Sequence, residues 1–262
     1  MEDQVTIKEP AKSSGKKSEA IIHIKGLKKS FGGNKILRNI NLDVHRGENV
    51  VILGRSGTGK SVTIQCIVGI LTPDAGELTV LGKEVCELTE IELKELRTKI
   101  GFLFQGGALY DSMTVRENLE FPLTRVLKIK DQQEIDSRVE EVLDGVGLLD
   151  AVDEMPSDLS GGMRKRVGVA RTLIVKPEIM LYDEPTSGLD PITSREISYL
   201  IVKMQKKYRT TSLIITHDME CASITSDRVV VMNDGEYIAE ASFEELKKSD
   251  DEFVRSFFKS IL

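Results

Sequence analysis

The run Gly54-Arg55-Ser56-Gly57-Thr58-Gly59-Lys60-Ser61 constrains this chain more than any other stretch. It follows the apolar, strand-like Val50-Val51-Ile52-Leu53 and precedes a helix-like segment from Val62 to Ile70. Glycines let successive backbone N–H groups curl round an anionic phosphate, and the new helix adds its positive N-terminal end. Lys60 supplies a point charge, and the Ser61 hydroxyl can enter a Mg²⁺ shell. This is the P-loop pattern, and it predicts an α/β scaffold that binds a nucleoside triphosphate with magnesium. The bland alternative is a glycine-rich turn without a ligand, and the pattern alone does not name a reaction.

With 262 residues, 40% of them hydrophobic, the chain can bury a sizeable core as one large domain or two small ones. A net charge of -6, with 30% charged residues of both signs, gives no general basic surface for nucleic acid. Cys66, Cys86 and Cys221 are far apart and lack metal-ligand spacing, so neither a disulfide framework nor a zinc site is expected. Cys66, about two turns into the helix after the P-loop, suits a small buried hydrophobe. No stretch approaches the roughly 20 apolar residues of a membrane-spanning helix, and no charged-then-apolar leader opens the sequence, which places the expected protein in the cytoplasm. Residues 1 to about 19 lack apolar periodicity and read as a disordered, solvated polar tail.

Short Val- and Ile-rich runs at 21–24, 49–53, 77–81, 100–104, 179–182, 212–215 and 228–232 are strand candidates. Several end in polar or glycine-rich turns, at Gly54, Gln105, Asp183 and His217, which is how an α/β sheet presents ligand-binding loops along one edge. Between about 86 and 158 the apolar spacing turns helical, notably at Ile135, Val139, Val142, Leu143 and Val146, and reads as an inserted helical subdomain. Near the end, Ser242 and Glu245 have capping-box spacing, and Phe253, Phe257, Phe258 and Ile261 form an apolar stripe. A final helix, in a C-terminal extension over 246–262, is the expectation.

Ile179-Met180-Leu181-Tyr182 ends in the adjacent carboxylates Asp183 and Glu184. Downstream of a P-loop, Asp183 can hold magnesium through water, and Glu184 is placed to polarise a water for attack on the γ-phosphate. Leu159-Ser160-Gly161-Gly162-Met163 is a turn entering a helix with Arg164, Lys165 and Arg166 behind it. Alone, Ser-Gly-Gly is more often a flexible turn, but between two nucleotide motifs it can form a second anion nest. Two nests in different subdomains do not easily close on one phosphate, whereas a second copy of the chain could supply the other half.

In this order the motifs resemble the nucleotide-binding subunit of ATP-binding cassette (ABC) transporters over residues 21 to about 245. The resemblance implies a RecA-like P-loop NTPase core with an antiparallel β-subdomain and an inserted α-helical subdomain, taken here as one domain over 20–245. It also implies roles for named residues. Phe31 would stack on adenine, and Gly54, Arg55, Ser56, Gly57, Thr58, Gly59, Lys60, Ser61 and Val62 would line the nucleotide. Gln105 would join Ser61 and Asp183 at the magnesium and link it to a membrane partner. Ser160, Gly161 and Gly162 would close on the nucleotide of a second subunit, Asp190 would carry signals across that dimer, and His217 would contact the γ-phosphate beside Glu184. ATP would be hydrolysed between two head-to-tail copies held in an isologous interface.

Departures narrow the resemblance. Met163 replaces the usual glutamine after Ser-Gly-Gly, Arg55 occupies a variable position, and Val62 replaces a frequent hydroxyl residue. With Met163, the segment from Phe104 to Val115, Asn118, Pro122 and Leu189 to Thr193 are similar to the Mla- and Mkl-type ATPases. That likeness implies a peripheral ATPase on the cytoplasmic face of an inner membrane. It would drive a separate permease and an Mce-type lipid-binding protein to move phospholipid between bacterial membranes. Another cargo (an amino acid, an ion or a drug) stays open, as does a soluble cassette ATPase acting on ribosomes or nucleic acid, although the two cassettes or long coiled-coil insertion common in that class are missing.

Overall fold

The run Asn49–Gly54 is buried along its whole length because both faces of its sheet are covered. The fold, a computed structural model, describes residues 20–258. In chain order the elements are β1 (Ala20–Phe31), β2 (Asn34–His45), β3 (Asn49–Gly54), α1 (Lys60–Ile67), β4 (Ala75–Val80), β5 (Lys83–Glu84), α2 (Glu90–Thr98) and β6 (Ile100–Leu103). There follow α3 (Val115–Phe121), α4 (Gln132–Val146), α5 (Gly161–Leu173), β7 (Ile179–Asp183), α6 (Pro191–Tyr208), β8 (Thr211–Thr216), α7 (Met219–Thr225), β9 (Arg228–Asn233), β10 (Glu236–Ala241), α8 (Phe243–Leu246) and α9 (Glu252–Phe258).

One sheet has the order β10-β9-β3-β8-β7-β6, parallel except for β10, and the other is antiparallel with the order β2-β1-β4-β5. Strand alternation divides the core in two. Val50 and Ile52 of β3 join Ile24, Leu37, Ile64, Ile67 and Leu78 in a cluster that glues the antiparallel sheet and α1 to one face. Val51 and Leu53 point the other way, into a cluster with Leu119, Val139, Leu143, Val169, Ile197 and Val229. The parallel strands end along one edge, so Gly54, Thr216, Asp183 and Leu103 follow one another across neighbouring strands β3, β8, β7 and β6. Ligands bind at such carboxyl edges.

Two boundaries differ from the sequence reading. Residues 86–158 are not helical throughout, because β6 lies within them and pairs in parallel with β7, while Leu93 and Leu96 of α2 join the cluster on the β3 and α1 side. The helices that pack together as a separate layer are α3, α4 and α5, which follow β6. A boundary at 245/246 falls inside α8, whose cap Ser242 and Glu245 make both halves of a capping box and whose Leu246 is buried in the helical-side core. The stripe of phenylalanines belongs to a second short helix, α9, with Val254 and Phe258 buried. Ile261 and the polar tail of residues 1–19 lie outside the described residues.

Candidate nucleotide site

The P-loop is shaped by glycine and closed by its own lysine. Gly57 and Gly59 have φ of 82° and 105°, in the left-handed region, and a Cβ at Gly59 would lie 2.9 Å from the Ile36 carbonyl oxygen and from Leu37 Cδ2. The antiparallel sheet therefore reaches directly beneath the loop. Lys60 Nζ donates to the carbonyls of Gly54 at 2.7 Å and Arg55 at 3.0 Å, and Thr58 Oγ1 donates to the Arg55 carbonyl at 2.9 Å. The Lys60 ammonium, 5% exposed, lies 3.6 Å from Glu184 Oε1, and burial pushes its pKa down against the pull of Glu184 and Asp183.

At the end of β7, Ser61 Oγ donates to Asp183 Oδ1 at 3.0 Å. A hydroxyl beside a carboxylate is a hard-oxygen pair of the kind that suits Mg²⁺. Burial raises the Asp183 carboxyl above the usual aspartate range, so a divalent cation there would offset the charge that the protein leaves partly uncompensated. On these observations the donor set fits magnesium.

Glu184 adopts φ 49°, strained for a residue with a Cβ. The strain is held by three bonds. Its amide donates to the Ile215 carbonyl at 2.9 Å, while its Oε2 accepts from the His217 amide at 3.3 Å and lies 2.9 Å from His217 Nδ1. The carboxylate thus sits between Lys60 and a half-exposed imidazole. Asp218 caps α7 through the amides of Glu220 and Cys221 and accepts from Thr186 Oγ1 at 2.9 Å, tying the histidine turn to the segment after β7. Thr186, Ser187, Gly188, His217 and Asp218 line a cavity of about 310 Å³ at this edge.

Gln105 follows β6, and its amide donates to Ser187 Oγ at 3.0 Å; no hydrogen bond joins it to Ser61 or Asp183 among the described residues. Phe31, 46% exposed, stands at the β1–β2 turn with Lys29 Nζ 5.4 Å from its ring centroid, an open aromatic face on the antiparallel sheet. Arg55 lies over the Phe253 ring of α9 at 5.3 Å, and Val62 packs partly buried against the β3–α1 core.

Ser160 caps α5 by accepting from the Met163 amide at 3.2 Å. Gly162 lets that helix approach α6, since a Cβ would meet Thr193 Cγ2 at 2.6 Å, and Gly161 sits near Leu189. Asp190 caps α6, accepting from the amides of Ile192 and Thr193 and from Thr193 Oγ1. The Ser-Gly-Gly turn and Asp190 are therefore neighbours, but among the described residues no hydrogen bond or ion pair links either to the P-loop. Met163 packs against the helical-side core.

Sequence reasoning passed over Thr186 and Asp218, whose only signal is an Asp at a strand-to-helix turn. It named Lys165 only among the basic residues behind the Ser-Gly-Gly turn and missed its place: the residue is 6% exposed and donates to the Gln105 carbonyl.

Comparison with known proteins finds likenesses over most of the chain. A family model described as "ABC transporter" matches residues 37–187. The chain is 41% identical over 236 residues, 90% of its length and 68% of the relative's, to the probable ribonucleotide transport ATP-binding protein mkl of Mycobacterium leprae. It is 41% identical over 213 residues, 81% of its length and 66% of the relative's, to the methionine import ATP-binding protein MetN of Clostridium tetani. It thus spans about two thirds of the length of these curated relatives. Among solved structures, the dimeric ATP-binding cassette MJ0796, in a post-hydrolysis state with ADP and Pi, matches with a TM-score of 0.76 and 33% identity over 85% of this chain and 98% of that one.

Proposed function

The chain belongs to the ABC transporter family and carries its ATPase domain, and on that premise we propose that it energises phospholipid transport between bacterial inner and outer membranes. It would act from the cytoplasmic face of the inner membrane, through a separate permease and an Mce-type lipid-binding protein. The observation that carries the hydrolytic part is the Glu184 carboxylate, held in a strained backbone conformation between Lys60 and His217 at the end of β7. Lys60, the P-loop amides from Gly54 to Ser61 and the face of Phe31 would bind the phosphates and base, with Arg55 and Val62 flanking them. Ser61, Asp183 and Gln105 would hold magnesium. When bound, that ion draws charge from the phosphates.

Glu184 would accept a proton from the attacking water. His217 would keep Glu184 oriented and meet the terminal phosphate. Because Ser160, Gly161, Gly162 and Asp190 share no bond with the P-loop of their own chain, they are free to close on the nucleotide of a second copy, and the dimeric cassette bound to ADP and Pi supports this reading. Next to Gln105, Phe104 and Tyr110 are exposed aromatics, stacked on Phe102 and packed on Phe121, and offer an apolar face to a permease. No described helix is long and apolar enough to cross a membrane, which supports a separate permease.

The phospholipid cargo rests on the Mla- and Mkl-like segment from Phe104 to Val115 together with Met163. The similarity to MetN favours a second reading, in which the cargo is an amino acid. Affinity purification from native membranes, with mass spectrometry of copurifying proteins and lipids, separates them. A multi-spanning permease with an Mce-type protein and phospholipid is the expected result. A permease with a solute-binding protein would overturn the lipid cargo.

A further inference from the structure

The loop after β6 is held by side chains of α5. Lys165 Nζ donates to the Gln105 carbonyl. One turn on, Gly168 allows close approach, since a Cβ there would come within 2.9 Å of Leu103 Cδ1 and 3.1 Å of the Gly107 carbonyl oxygen. After another turn, Arg171 Nη1 donates to the Ala108 carbonyl at 2.6 Å, with its guanidinium 4.7 Å from the Tyr110 ring centroid. Residues 165, 168 and 171 share one face of the helix. The loop they hold is irregular, with φ of 79° at Gly107 and 52° at Ala108, and its carbonyls at 105 and 108 take their donors from α5. Lys165 is buried, forms no ion pair within 4 Å among the described residues, and feels Asp183 and Glu184 as its nearby anions. A cation is rarely buried for packing alone.

We propose that Lys165 is a positioning residue: by pinning the main chain of Gln105 to the helix capped by Ser160, it sets the reach of the Gln105 amide toward Ser61 and Asp183. The metal-facing glutamine and the Ser-Gly-Gly turn then move as one body, so a second copy docking on that turn is felt at the first copy's magnesium site. This rests on the reading of Gln105 as a magnesium-facing residue.

The test uses the full chain and the variants K165M, K165R, Q105A and K165M/Q105A. Hydrogen exchange at the amides of residues 106–110 is followed without nucleotide, and the Mg²⁺ concentration that half-saturates binding of a ribose-labelled fluorescent ATP is measured. A charge-assisted hydrogen bond of ordinary strength predicts exchange about 10-fold faster or more in K165M, with K165R restoring protection. The Mg²⁺ requirement is expected to rise about 10-fold in K165M and in Q105A, and no further in the double variant. If K165M does not fold, K165Q, with its shorter reach, carries the same expectations. Unchanged exchange in K165M, a K165R as impaired as K165M, or additive effects in the double variant would overturn the proposal. An unchanged Mg²⁺ requirement in K165M alone would remove the role of Lys165 and leave that of Gln105. An unchanged requirement in Q105A would remove the reading of Gln105, and with it the claim that Lys165 acts through that side chain.

Discussion

At the scale of single residues, the site balances two buried cations, Lys60 and Lys165, against Asp183 and Glu184 before any ligand arrives. Lys60 closes the loop on the carbonyls of Gly54 and Arg55, and these bonds keep its ammonium at the mouth of the phosphate nest. Lys60→Ala should cost about 10- to 100-fold in ATP affinity, the worth of one or two charge-assisted hydrogen bonds. Calorimetry checks this, and unchanged affinity would count against the nest. Asp183 sets a pH dependence. Its folded pKa is raised by burial, so its ionisation opposes folding above that value and contributes nothing below the ordinary aspartate range near 3.9. Thermal scans without metal should therefore show Asp183→Asn melting higher than the parent at pH 7 to 8. The gap should shrink as pH falls toward about 4 and close when Mg²⁺ is added to the parent at neutral pH. Lys60 and Ser61 could be read from sequence because they close a glycine-rich loop at the start of a helix, and Asp183 and Glu184 because they end an apolar strand, while the role of His217 came from the family resemblance. The place of Lys165 could not be read. It lies between Arg164 and Arg166, read from sequence only as one of three basic residues behind a candidate anion nest, and only the packing of α5 on residues 105–108 hides its ammonium.

At the scale of elements, the strands found from sequence carry a short apolar run, continuous in the parallel strands buried on both faces and shorter in the part-exposed β1 and β4, and those left out are half-exposed. β2 and β10 alternate exposed and covered residues and lie at sheet edges, so neither offers the continuous apolar run that marks β3, β7 or β8. β10 also pairs back on β9 through the turn at Asp234 and Gly235, both with positive φ. The P-loop is an element whose shape depends on both sheets. Gly59→Ala forces a Cβ into a left-handed residue and against the Ile36 carbonyl of β2. Together these should cost about 2–4 kcal/mol and lower the melting temperature by roughly 4–12 °C. Nucleotide affinity should fall with it, and a stable variant with full affinity would mean that β2 does not support the loop.

At the scale of the whole molecule, the two cores on opposite faces of one sheet leave the strand ends free, and the antiparallel layer, the P-loop and the helical layer all reach that edge. Within one chain the edge holds Ser61 against Asp183 and, beside them, Glu184 between Lys60 and His217, while Ser160 and Asp190 form a second group beside α6. On the proposed reading, a second copy reversed on the first would bring the two groups together with ATP between them. Sequence order shows both groups and, by placing the two nests in different subdomains, their separation, but not which face of α5 packs on α6, which depends on close approaches such as Gly162 to Thr193. The measurement that bears most directly on this account is the behaviour of Glu184→Gln. Water polarisation is lost while the phosphate contacts remain, so steady-state phosphate release should fall about 100-fold or more, with ATP still bound and the chain eluting as a dimer in its presence. Undiminished hydrolysis by Glu184→Gln would contradict the assignment of Glu184 and, with it, the chemistry proposed for this edge.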